Sequence, residues 1–292
     1  MREATVLEEQ ARIAHTVALK HTILLPFVTL GSLINFCDCL MAGGTSRKDH
    51  SEVGSSYIHF NFTPNQDKAT ASLIGDVPRG VMLNQRPIFL GGQGGLVGPC
   101  RLGYGITVAA GTIIRKDEPR SDRLIFGGAG KGGNVPYGPG SFPAGKKIII
   151  NNIIYIANLI ALKHWYQQVR SLFVSERFPG ALLDGLIEKV ILAVAERINR
   201  LEAVCLKKSD AGWSEFKEFL NGQLTNPGDS QSMDTFLESV HKGIAVCGQD
   251  YIGVIQGLEA DDSGKGTRWL QGIVNHITAE APRMMPVLSN QS

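Results

Sequence analysis

The segment Ser46-Arg47-Lys48-Asp49-His50 places an imidazole among charged groups that can orient it. Histidine titrates near neutrality, so a neutral His50, fixed by Asp49 or Glu52, can remove a proton from an amine or hydroxyl attacking a thioester. His50 is therefore the candidate catalytic base, and a solvated polar loop is the alternative account of the same residues. In Asn61-Phe62-Thr63-Pro64-Asn65-Gln66-Asp67-Lys68, Lys68 can pair with a phosphate or pyrophosphate. Surface lysines seldom need that reason, and Asn61 and Asn65, flanking a proline, can equally build a turn.

Other patterns carry less. Gly128, Gly130 and Gly133 spell GxGxxG, and Gly130-Lys131 resembles a phosphate loop, but such loops must open a helix. Pro136, Gly138, Pro139 and Gly140 forbid one, and Gly132 stands where magnesium would need a hydroxyl. His15, His21, His50 and His59 show no spacing that suits zinc, and Cys37 and Cys39 form a lone CxC, so no metal is expected. Five cysteines, an odd number in a long chain without export features, fit reduced thiols.

Charge is nearly balanced, 29 Lys plus Arg against 27 Asp plus Glu, so no strong field selects nucleic acid or an anionic membrane. The acidic stretch Met1 to Gln10 lacks the form of a secretory signal, which points to the cytoplasm. Ile148 to Leu162, interrupted by Asn151, Asn152 and Asn158, falls short of the roughly 20 apolar residues needed to cross a bilayer. It is expected to be a buried helix.

The elements that would position these groups change character near residue 146. Before it, Leu90, Leu96, Leu102, Val108 and Ile114 form a row at every sixth position, a period no helix produces. Ile13, Leu19 and Leu25 form an earlier row, and Val17 and Ile23 another. Such a short fixed period predicts a β solenoid, with phase lost between Gly43 and Asn65 and between Asp76 and Arg86, where loops leave the corners. After residue 147 the period becomes helical: Leu183, Ile187, Val190, Val194, Ile198, Leu201 and Cys205 make one stripe. Further helices are expected at Ile148 to Val174, Trp213 to Leu220, Met233 to Val240 and Trp269 to Thr278. The expected domains are a β-helix over 1–126, a Gly/Pro-rich linker over 127–147 and an α-helical bundle over 148–292.

Leu90-Gly91-Gly92-Gln93-Gly94-Gly95-Leu96-Val97-Gly98-Pro99, continued by Leu102-Gly103-Tyr104-Gly105 and Ala109-Ala110-Gly111-Thr112, resembles a known family. It is similar to the terminal coils of the bifunctional N-acetylglucosamine-1-phosphate uridyltransferase/glucosamine-1-phosphate acetyltransferase, an enzyme related to UDP-N-acetylglucosamine pyrophosphorylase. Asn61-Phe62, the Lys68 loop and Ile74-Gly75-Asp76 are similar to that family's Cys-Asn-Tyr-Asp-Gly loop and the Ile-Gly-Asp after it. Leu19 to Leu24 and Leu33 to Asp38 resemble earlier coils. The resemblance implies a left-handed parallel β-helix of hexapeptide repeats, an exception to the usual crossover hand. It also implies a homotrimer and acetyl-CoA lying along the coils, with Gly92 and Ala110 on the pantetheine arm and Asn61 and Phe62 at the acetyl-acceptor end. One register puts Thr29 and Ser32 at the family's Lys and catalytic His, while another puts Arg47 and His50 there; both stay open. The family's nucleotidyltransferase domain has no counterpart, so uridylyl transfer is not expected.

Together these readings lead to an acyltransferase-like protein, transferring an acyl group from acetyl-CoA to a sugar phosphate or nucleotide sugar. His50 would be the base, with Arg47, Asn61, Phe62 and Lys68 on the substrate. The competing expectations are a non-catalytic trimeric scaffold whose helical part binds a partner, and a regulatory domain related to sugar nucleotidyltransferases.

Overall fold

Short aliphatic runs punctuated by turn residues cannot make long strands, and the first half of the chain forms many brief ones. The computed structural model describes residues 1–61, 67–127, 145–207 and 212–289. The strands are β1 (Val6–Leu7), β2 (Arg12–Ile13), β3 (Ala18–Leu24), β4 (Thr29–Leu30), β5 (Asn35–Met41), β6 (Glu52–Val53) and β7 (Ile58–Asn61). They continue as β8 (Ser72–Ile74), β9 (Phe89–Leu90), β10 (Gly95–Gly98), β11 (Arg101–Leu102), β12 (Thr107–Val108), β13 (Ile113–Ile114) and β14 (Leu124–Ile125). One sheet has eight strands along the path β1-β3-β5-β7-β10-β13, with β8 pairing both β5 and β11. The other has six, in the order β14-β12-β9-β6-β4-β2. Strand pairing within the two sheets is parallel, as in Leu19↔Phe36 and Val53↔Leu90.

Among the described residues, eight α-helices follow or interrupt the strands: α1 (Val77–Gly80), α2 (Lys146–Gln168), α3 (Gly180–Lys207), α4 (Trp213–Gln223), α5 (Ser230–Cys247), α6 (Tyr251–Gln256), α7 (Ala260–Met284) and the short α8 (Pro286–Ser289). A 3-10 turn, Arg170–Phe173, ends the run that α2 begins.

This architecture corrects the expectation of a left-handed β-helix solenoid of hexapeptide repeats followed by a separate helical domain. The chain forms two parallel sheets with helices in an α/β-like arrangement, about 47% helix and only 18% strand. The reason is visible in the period-six row itself. Leu90, Leu96, Leu102, Val108 and Ile114 are all buried, but Leu90 and Val108 belong to the six-stranded sheet and the other three to the eight-stranded one. A fixed spacing reports which side chains are buried; it does not report what covers them. Here a single apolar core runs from Ala4 to Met285 and takes in both halves of the chain.

Helix α2 makes that shared core possible. Its apolar residues face inward on nearly every side, the pattern of a helix enclosed by protein. With the 3-10 turn after it, the run Lys146–Phe173 is long and apolar enough to cross a membrane, unlike the shorter Ile148 to Leu162 stretch read from the sequence, yet 83% of its apolar window is buried within the protein. Its asparagines reach backbone groups at the strand ends: the Asn151 amide donates to Pro99 O (3.3 Å), and the Asn152 amide to Ala69 O (2.9 Å). Asn158 Oδ1 accepts from the Val77 N–H at 2.9 Å, holding the start of α1. The α3 stripe packs inward as expected, and Arg197 on its buried side meets Asp38 of β5 at 2.9 Å.

Asn158→Ala removes the acceptor of a buried N–H, which costs about 1–3 kcal/mol. Urea unfolding should show a lower midpoint with an unchanged slope; an unshifted midpoint would show that this contact does not hold sheet to helix.

Candidate functional site

The structure places the residues that the sequence groups together on different elements. His50 forms an antiparallel bridge with Gly44 and leads into β6 of the six-stranded sheet, its Nε2 4.0 Å from Glu52 and its Nδ1 buried without a partner. Asn61 ends β7, opposite Gly98 in the eight-stranded sheet. Arg47 is engaged by the fold: its Nη1 donates to Gln10 O (3.0 Å), Phe27 O (2.7 Å) and Thr29 Oγ1 (2.9 Å), tying neighbouring turns. Lys68 is exposed, in the left-handed region at φ +56°. Phe62, Asn65 and the Gly128-Lys131-Gly133 motif lie outside the described residues.

Gly92 and Ala110 do come together. A side chain on Gly91 would meet Ala110 N at 2.4 Å, and one on Gly54 would meet Gly92 N at 2.4 Å, so these turns stack backbone on backbone. This explains the glycines by close approach alone.

Two buried polar pairs are structural. Ser72 Oγ accepts from Cys100 N (3.0 Å) and lies 2.9 Å from His59 Nε2. Burial pulls His59 down to about 4, against a hydrogen bond to the Cys37 backbone, so it stays neutral with Ser72 as donor. Neither residue borders the principal cleft.

That cleft, about 920 Å³, opens where β1 and the turn after it meet the end of the α2 run, the start of α3 and the start of α6. Glu8 and Glu9 line it from the amino-terminal side, and Arg170, Phe178 and Tyr251 from the helical side. Tyr166 of α2 donates its hydroxyl to Glu8 Oε1, and Arg170 Nη2 donates to Glu9 Oε1. The Arg170 guanidinium lies between two rings, 3.7 Å from the Tyr251 centroid and 4.2 Å from that of Phe178. Trp165 Nε1 donates to the Tyr251 hydroxyl at 3.1 Å and fixes that ring.

The electrostatics follow from enclosure. Burial, reinforced by the neighbouring Glu9 charge, raises the Glu8 carboxyl to about 7, against the opposing pull of Arg170 and Tyr166. Burial alone would lower Arg170, but Tyr251, Glu9 and Glu8 more than offset it and keep the group cationic. Burial likewise holds the Tyr166 and Tyr251 hydroxyls protonated. A carboxyl poised near neutrality beside a guanidinium and open space can accept and return a proton at physiological pH. Among the described residues, no group of three or more His, Cys, Asp or Glu is placed to hold a metal ion.

Sequence reasoning missed this site because its parts lie some 160 positions apart, as with Glu9 and Arg170. The adjacent Glu8-Glu9 pair is the one local signal, and it reads as ordinary surface charge. No protein-family model matches the chain, and neither the curated proteins nor the solved structures contain a significant match.

The raised Glu8 has a signed consequence. An acid whose folded value exceeds its unfolded one stabilises the fold fully below the unfolded value and loses that contribution as pH rises through the folded value. Between about pH 4.5 and 7, stability from this group should fall by roughly 3 kcal/mol, and Glu8→Gln should flatten the decline. Chemical unfolding at several pH values checks this; an identical pH slope in both proteins would remove Glu8 as the cause.

Proposed function

We propose that this chain is an enzyme whose cleft between Glu8 and Arg170 holds a small polar acceptor and whose Glu8 moves the proton. The single observation that carries this reading is the buried carboxyl raised to about 7 on the wall of a cleft of about 920 Å³. Acceptor-sized molecules fit cleft volumes of about 300–1,000 Å³.

The reaction proposed is acyl transfer from a thioester to an amine or hydroxyl, with acetyl-CoA as donor on the strength of the sequence resemblance. An ammonium acceptor first gives one proton to solvent; ionised Glu8 then takes a proton from the neutral amine or the hydroxyl as its nitrogen or oxygen attacks the thioester carbonyl. The new C–N or C–O bond forms, the C–S bond breaks, and protonated Glu8 returns its proton to the departing thiolate. Arg170 supports the reading from the other side as a cation beside Glu8 and Glu9 in the wall of the cleft. Exclusion of water by the Tyr251 and Phe178 rings strengthens both interactions.

The test measures acetyl transfer from acetyl-CoA to glucosamine 1-phosphate and to a panel of small amines, using the intact chain, Glu8→Gln and His50→Ala. Glu8→Gln should lower turnover by about 100-fold or more, the usual worth of a positioned base, while His50→Ala should leave it near normal. The reverse pattern would move the base to His50. Absence of turnover with every acceptor would favour the non-catalytic scaffold.

A further inference from the structure

Both sheets follow chain order, so β13 and β14, their last strands, lie at the same end of the pair. The chain between Ala109 and Gly127 builds that end, and most of it is exposed. Charge on such an edge is ordinary, because it keeps other strands from pairing there. Its balance is not. Arg120 pairs with Glu118 at 2.6 Å, Lys147 with Asp117 at 3.4 Å and Arg86 with Asp122 at 2.7 Å. Each acid of this end is thereby matched, and Arg115, Lys116 and Arg123, all exposed, remain in excess. The acids are also drawn inward: the side chains of Asp117 and Glu118 are 17% exposed and that of Arg120 is 67% exposed. A chain of net charge +2 thus gathers a local excess that its total conceals.

Edge protection does not explain the apolar side chains among those cations. Leu124 is 62% exposed and Phe126 is 75% exposed. Leu124 stands opposite Thr107, and Thr107 opposite the exposed Phe89, which makes one outward row across the six-stranded sheet. Ile113 faces out from β13 of the other sheet. These residues share one end of the two sheets, so a broad flat surface meets them together and a narrow groove-filling segment does not. A second copy brought against the same end would set its cations against these, at a Coulomb cost. Nucleic acid would satisfy the cations but give Leu124 and Ile113 only phosphate and water. A bilayer with anionic headgroups satisfies both, because apolar side chains enter the boundary between headgroups and acyl chains while basic ones stay at the charged surface. We propose that this end of the two sheets docks on an anionic lipid surface, with Phe126 and Leu124 inserted and Arg115, Lys116 and Arg123 against the headgroups. The proposal is independent of the chemistry assigned to the cleft.

Sedimentation of the full chain with vesicles of phosphatidylcholine, alone or with roughly 30% phosphatidylserine, tests it. Binding should require phosphatidylserine and weaken as salt is raised. Trp165, Trp213 and Trp269 are buried, so Phe126→Trp adds an exposed indole that reports contact at this end, and its emission should shift to the blue when vesicles bind. Replacing Arg115, Lys116 and Arg123 with glutamine should weaken binding about fivefold for each charge removed. Leu124→Ser with Phe126→Ser should weaken it about tenfold or more. No binding to the phosphatidylserine vesicles, equal binding to phosphatidylcholine alone, or binding without a change in the Phe126→Trp emission would overturn the proposal. Emission already blue before vesicles are added would show that a protein surface covers the patch, and tighter binding of duplex DNA than of vesicles would reassign the cations to nucleic acid; either result overturns it as well. The vesicle comparison is read on the unaltered chain, so it decides the matter whether or not every variant folds.

Discussion

A helix enclosed on nearly every side can carry asparagines only where their amides meet backbone groups that would otherwise stay unpaired. Helix α2 meets that condition three times, at Pro99 O, Ala69 O and the Val77 N–H. These contacts are directional, so they fix α2 in rotation and in height against the strand ends, where apolar packing alone would allow sliding. The two sheets of short strands and the helices that follow become one core because this helix belongs to both.

The cleft depends on that placement. With α2 held, Tyr166 falls on Glu8, Trp165 on Tyr251, and the 3-10 turn brings Arg170 to Glu9. The same enclosure that raises Glu8 keeps Arg170 charged and leaves several of their polar atoms without partners. Burying a carboxyl and a guanidinium side by side is expensive when the geometry leaves donors and acceptors open. In this arrangement the raised carboxyl and the persistent guanidinium come from one act of desolvation.

Legibility in the sequence follows the range of the interaction. Leu90 through Ile114 reveal their burial by spacing, and Leu183 through Cys205 reveal a helix, because both patterns depend on neighbours close in the chain. The meaning of the period-six rows was not legible, since strands alternating between two sheets and a stacked solenoid bury the same positions. Arg47 shows the same limit at a site: the resemblance puts it beside His50 on the substrate, and no local pattern tells that its Nη1 donates to Gln10 O, Phe27 O and Thr29 Oγ1 in other turns.

By itself the sequence determined the change of period near residue 146, the buried character of α2 and the course of α3, all consequences of local spacing and hydrophobic burial. Tertiary structure alone decided that the strands divide between two sheets, that helices share their core, and that Glu8 loses the solvent that would keep it an ordinary carboxylate. The physical reason is that desolvation belongs to a place in the folded chain, assembled here from segments some 160 residues apart, and no stretch of sequence contains it.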